Sequence, residues 1–323
     1  MIFDPQIARW PNKYPWTQDF IDAMWTGFWT PNEFTFTSDE HDFKTILTEE
    51  ERGIVVNTLS AIGQIEVAVK RFWSKMGDVL PHPGIVDLGL VMAHVEVIHN
   101  KAYEKLLQKL GLIDIFEDNL KLPVISNRVN YLQKHLEKKF EGDKQQYIYS
   151  IILFTLFVEN VSLFSQFYVI KWFNRFKNIL KDTDQQVTYT FREEQLHSDI
   201  GTKIINTMRS EYPELFTKEL EDLVLYQANE AFKAESGIID WIINGYSQKG
   251  ISAPLLKNYI LGRINSSLNG IGFRQLADTD PNLNKESFWM EEEILATNVT
   301  DFFHRKPVDY QMHSQPITAE DLF

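Results

Sequence analysis

Two Glu-x-x-His pairs, Glu96/His99 and Glu194/His197, stand in apolar stretches about a hundred residues apart. Two more glutamates, Glu66 and Glu159, interrupt other apolar stretches. The i,i+3 spacing of each pair puts its carboxylate and imidazole on one helix face. A bundle that turned all four faces inward would gather four carboxylates and two imidazoles in its core, the donor set of a carboxylate-bridged pair of metal ions. Four ionised carboxylates buried together without compensation would mostly protonate. Two divalent cations would neutralise them. Oxygen-rich donors with one imidazole per metal suit manganese and iron, not copper or thiolate-bound zinc.

Helical periodicity runs through most of the chain and period-two alternation is scarce, so the fold class reads as all-α with a ferritin-like four-helix core. Thr48 followed by three acids marks a helix start. That helix is expected to run to Met76, with Gly77 ending it. Val55, Leu59, Ile62, Glu66, Val69 and Trp73 form its core stripe. A second helix carries Met92, Glu96, His99, Tyr103, Leu106 and Leu110 in the same rhythm. Residues 124–140 read as a helix with a basic, solvated face. Further helices are expected around Glu194/His197, at about 214–247 and at about 253–272. Residues 1–303 then form one ferritin-like domain, and 304–323, polar with Pro307 and Pro316, form a flexible tail.

The stretch Ile151–Ile170 is long and apolar enough to cross a bilayer. Its polar residues Thr155, Glu159, Ser162 and Gln166 fall at helical spacing, however, and a carboxylate at mid-span is costly in lipid. The segment therefore reads as a buried central helix, and no membrane contact is expected. A net charge of −13 argues against a nucleic-acid partner. The chain has no cysteine, which excludes disulfides, iron–sulfur ligation and thiol chemistry of its own. No basic-then-apolar leader opens it, and a cytoplasmic location fits.

The run Glu96-Val-Ile-His-Asn-Lys-Ala-Tyr103 resembles the Glu-x-x-His-x-x-x-Tyr segment of class I ribonucleotide reductase small subunits. Gly27-Phe28-Trp29-Thr30-Pro31-Asn32-Glu33 is similar to that family's N-terminal Phe-Trp-x-Pro-x-Glu segment, and Arg192-Glu193-Glu194-Gln195-Leu196-His197 to its second metal helix. The resemblance implies a homodimer whose metal pair is held by Glu66, Glu96, His99, Glu159, Glu194 and His197. It also implies that Trp29 and the tail residue Tyr310 relay an oxidising equivalent to a separate large subunit, which docks on the tail. The missing thiols, and the missing phosphate-cradling glycine loop, would then belong to that partner.

Two positions depart from the commonest family pattern. Glu66 stands where Asp is usual as first ligand, and Glu193 stands where Asp precedes the second Glu-x-x-His. Lys70, four residues after Glu66, could reach the carboxylate cluster. Glu in the first position resembles subgroups with manganese-containing centres that do not rely on a tyrosyl radical. Two Mn are favoured on this basis, with two Fe or mixed Mn/Fe as alternatives. Tyr103 is a candidate radical site or simply a core tyrosine. A ligand-binding oxidase of the same superfamily and a ferritin-like storage protein are the competing readings; the first should lack the relay tail with Tyr310, and the second has no use for the Trp29 segment or the tail.

Overall fold

The computed structural model describes residues 1–303, without the side chains of 66–68 and 294–303. Tyr310 and the rest of 304–323 lie outside the described residues. Helix α1 (Trp16–Thr26) is followed by the Trp29 loop, and then by α2 (Glu49–Trp73) and α3 (Pro83–Leu110). After α4 (Pro123–Leu132) come α5 (Asp143–Leu153), α6 (Phe164–Lys177), α7 (Lys181–Glu211), α8 (Lys218–Ile243), α9 (Ala253–Gly270) and α10 (Pro281–Phe303). The four-helix core consists of α2, α3, the α5–α6 stretch and α7, and α8 and α9 pack outside it. Among the described residues the only β pairing is an isolated bridge, Gln248 with Ile251.

Helix α2 starts where the acidic run suggests. Thr48 Oγ1 accepts from Glu51 N, and the Glu51 carboxylate accepts from Thr48 N, each at 3.2 Å. This reciprocal cap satisfies two otherwise orphaned donors. The helix stops at Trp73 rather than Met76, because the chain turns at Ser74–Lys75 and Gly77 falls inside a separate helical turn, Met76–Val79. Gly89 of α3 packs there; a Cβ on it would stand 2.7 Å from the Trp73 carbonyl oxygen.

The apolar stretch is a buried core element, 94% inside the fold. It is not one regular helix. Residues Phe154–Glu159 are wound as a π-helix, and a turn at 160–163 precedes α6. The expected single polar stripe is therefore broken. Ser162 Oγ donates to Phe157 O, and Gln166 Oε1 accepts from Arg128 Nη2, so neither joins the carboxylate cluster. The basic, solvated face expected over 124–140 is also corrected. Helix α4 ends at Leu132, and Arg128 is fully buried, its Nε 2.8 Å from Glu235 Oε1 and its Nη1 donating to Ala61 O. A guanidinium with this many fixed acceptors can be held in a core where an unpaired one could not.

Candidate metal centre

Five side chains converge in the middle of the bundle. Glu96 and His99 come from α3, Glu159 from the end of the π segment, and Glu194 and His197 from α7; each is at most 1% exposed. One donor atom from each of Glu96, Glu159, Glu194 and His197 falls within 4.8 Å of all the others. Nδ1 of His197 lies 2.8 Å from Glu96 Oε1 and 3.6 Å from Glu159 Oε2. Nδ1 of His99 lies 3.4 Å from Glu96 Oε2 and 3.1 Å from Glu194 Oε1. Both imidazoles thus aim the same nitrogen at the carboxylates.

The π winding and a glycine make this convergence possible. The extra residue in the π turn re-aims the side chains after it, a frequent device at functional sites. It also brings Thr155 so close to α7 that a Cβ on Gly201, one turn beyond His197, would stand 2.3 Å from the threonine side chain. Only glycine leaves room here for the Thr155 side chain against α7 at the depth of the site.

The electrostatics are those of a cation site. Burial would raise the carboxyl of Glu96, but the imidazoles of His197 and His99 outweigh it and hold it down at about 2. His197 is lifted to about 9: burial opposes its charge, and Glu159 and Glu96 more than compensate. Glu194 is pushed well above the carboxylate range by burial and by Glu96 and Glu159 beside it. Both oxygens of Glu96, Oε2 of Glu159 and Nδ1 of His197 are buried without a well-formed hydrogen bond. Such a cluster is costly unless cations complete it. The donor set fits a dinuclear centre.

Trp29 is buried against this cluster, and its Nε1 donates to Glu193 Oε2 at 2.8 Å. The same carboxylate oxygen lies 2.7 Å from His99 Nε2. The Trp29 and His99 rings stack 6.2 Å apart at 25°. The loop that carries Trp29 is clamped from both sides. Lys105 of α3 donates to Pro31 O and Phe34 O. At the start of α7, Thr183 N and Oγ1 donate to Asp39 Oδ2, while the Asp182 carboxylate accepts from Phe36 N. Buried Asp39 thereby caps the helix whose N-terminal dipole favours an anion.

The remaining candidates from the sequence are more scattered. Glu66 lies on α2, but its side chain is outside the described residues. Lys70, one turn further on, is half-buried and makes no ion pair with a described side chain. Tyr103 is 2% exposed, one turn beyond His99. The apolar stripe places Trp73 in the core but gives no sign of its polar role. Its Nε1 donates to Glu159 Oε1 at 2.7 Å, and its ring lies 6.3 Å from that of His197. Each imidazole therefore has a tryptophan beside it, tied to the site through a glutamate. A tryptophan on an apolar stripe carries no mark of this in sequence, because the acceptor comes from another helix.

The fold and the inward-facing carboxylates and imidazoles define a ferritin-like helical protein whose buried Glu/His cluster fits a dinuclear metal site. Residues 7–285 match the family model of the ribonucleotide reductase small chain. The chain belongs to that family, whose members act as one subunit of a two-subunit oxidoreductase. It is 23% identical over 312 residues to the ribonucleoside-diphosphate reductase subunit beta of Halalkalibacterium halodurans, covering 94% of this chain and 88% of that one. The R2 subunit from Clostridium botulinum superposes with a TM-score of 0.77 at 20% identity, over 87% of this chain and 88% of that one. The dimanganese(II) NrdF of Streptococcus sanguinis superposes with a TM-score of 0.71 at 14% identity, over 88% of this chain and all of that one. These structural likenesses establish the fold.

Proposed function

We propose that Glu66, Glu96, His99, Glu159, Glu194 and His197 hold two metal ions, manganese in preference to iron or a mixed pair. When bound, the metals supply a one-electron oxidant for ribonucleotide reduction on a separate large subunit. The carboxylates set the charge of the site, and the bundle around them excludes water. Glu193 orients the His99 imidazole through Nε2, leaving Nδ1 for the metal, and accepts the indole proton of Trp29. Trp29 passes the oxidising equivalent outward, and Tyr310 in the tail carries it to the partner. Lys70 is assigned a supporting charge beside Glu66. The observation that carries this reading is the single carboxylate oxygen shared by Trp29 and His99.

The docking element is segment 304–323, and the protein is assigned to the cytoplasm as a homodimer. Dimerisation is supported by an exposed apolar face where α1 and the Trp29 loop meet α3. It comprises Trp25, Phe28, Leu90 and Val97, with Phe28 stacked on His94. The test is turnover with the large subunit: Trp29→Phe and Tyr310→Phe should each abolish nucleotide reduction and leave metal content unchanged. A Tyr310→Phe protein with full turnover would overturn the assigned route.

A further inference from the structure

Glu159 and Glu194 reach the cluster from different elements, and a third element ties those two together from behind. Glu159 is the last residue of the π segment, and Asn160 follows it at the turn into α6. Glu194 lies on α7 with Gln195 next to it. Arg263 of α9 reaches both of these neighbours. Its Nε donates to Asn160 O at 2.7 Å, and its Nη2 donates to Asn160 Oδ1 and, at 3.0 Å, to Gln195 Oε1. The guanidinium thus joins the residue after one inward glutamate to the residue after the other.

The rest of the clamp is built around this fork. Ser267, one turn further along α9, accepts a hydrogen bond from Asn160 Nδ2. The Arg263 guanidinium lies 3.3 Å from the centre of the Phe164 ring, which meets Phe191 of α7 edge-on at 4.9 Å. Asn160 ends the π segment, where a helix leaves carbonyls without a partner in the next turn, and Arg263 supplies a donor to its carbonyl. On the inner side Trp73 Nε1 fixes Glu159 Oε1. Trp73 therefore holds the Glu159 side chain, and Arg263 holds the backbone behind it.

We infer that Arg263 is a positioning residue of the metal centre: it sets the separation of Glu159 and Glu194 through Asn160 and Gln195. The inference rests on the metal assignment proposed above. Two ionised carboxylates repel one another until cations bind between them, so a tie behind each keeps them from spreading. A guanidinium suits this role because its donors sit in a rigid planar fork and hold two acceptors at one spacing. An ammonium on a flexible stem does not.

The experiment frees the full-length protein of metal and titrates it with Mn(II) alone, followed by calorimetry and electron paramagnetic resonance. Wild type should take up two ions. Arg263→Lys keeps the positive charge and an apolar stem beside Phe164 but lacks the fork. Its apo protein should melt close to wild type, while affinity for at least one ion falls about tenfold or more. The resonance spectrum of the loaded pair, which reports the spacing of the two ions, should change as well. Gln195→Ala removes only the half-exposed acceptor on α7 and should shift affinity and spectrum the same way by a smaller amount. It decides the matter if Arg263→Lys fails to fold. Wild-type affinity and spectrum in the folded variants would overturn the inference, because Arg263 would then only pin α9 to the bundle. A wild-type protein that takes up no second ion would instead overturn the metal assignment itself.

Discussion

Trp29 Nε1 and Glu193 Oε2 are joined by a 2.8 Å hydrogen bond in the core, although Glu193 is one methylene longer than the aspartate more usual at its position. The added length is absorbed without losing the second contact, His99 Nε2 at 2.7 Å. Removing the carboxylate should therefore uncouple the relay from the metals. Glu193→Ala is expected to lower turnover with the large subunit by about 10–100-fold, the usual cost of losing a partner behind a metal-bound histidine. Metal analysis should show that the centre still fills. Unchanged turnover would mean that the shared oxygen is not part of the route.

The metal site gives the next prediction. Glu159→Ala removes an inward carboxylate and the acceptor of Trp73 Nε1. Metal content should fall from two ions to one or none. Trp73→Phe, which leaves the ligands in place, should weaken affinity by about 10–100-fold. Chelation should lower the thermal midpoint, because the metals bind only the folded chain. Circular dichroism should still show a helical apo protein, since the core around the site is apolar.

The cap of α2 makes a pH prediction. Glu51 accepts from Thr48 N and from Tyr246 OH at 2.9 Å, and it pairs with Lys177. Burial would raise its carboxyl, but Lys177, Thr48 and Tyr246 hold it below the ordinary 4.5. A folded-state value below the unfolded one stabilises the protein above the unfolded value, and that stability is lost as pH falls through the folded one. Glu51→Gln should cost roughly 1–2 kcal/mol near pH 7. In urea melts of the apo protein, the gap to wild type should close as the pH drops below 4.5. A gap that stays constant down to acid unfolding would show that the charge of Glu51 contributes nothing.

Much of the fold and site is legible in the sequence because the chemistry sits on regular helices. Glu96/His99 and Glu194/His197 lie on α3 and α7, where an i,i+3 reading gives their direction directly. Glu159 stands out as a charge in an apolar run, but its direction is not readable: the π turn at Phe154–Glu159 shifts the register that helical spacing assumes. Arg128 reads as solvated because its partners, Glu235, Gln166 and Ala61 O, come from three distant parts of the chain. Trp73 escapes notice for the same reason: what makes it more than a core residue is a contact made in the fold, with Glu159.

The last prediction concerns where the oxidising equivalent is stored. A tyrosine keeps a neutral radical only if its phenol can lose a proton nearby and the pocket stays dry. Tyr103 is buried, as are Leu163, Phe167 and Thr190, which helical spacing places around it. The hydroxyl of Thr190 is turned to its own helix, donating to Gln186 O at 3.1 Å, so this pocket is less polar than its composition suggests. The case for storage on the metals therefore rests on the ligands. Glu66 brings a longer, more mobile carboxylate than aspartate, and carboxylates that shift can hold a more highly charged metal pair without discharging it onto a phenol. Tyr103→Phe is accordingly expected to keep a substantial part of wild-type turnover with the large subunit, and unchanged metal content. Low-temperature electron paramagnetic resonance on protein from its native cells, with elemental analysis, is the decisive measurement. A sharp organic-radical signal in the active wild type, lost together with all turnover in Tyr103→Phe, would move the stored oxidant from the metals to the tyrosine.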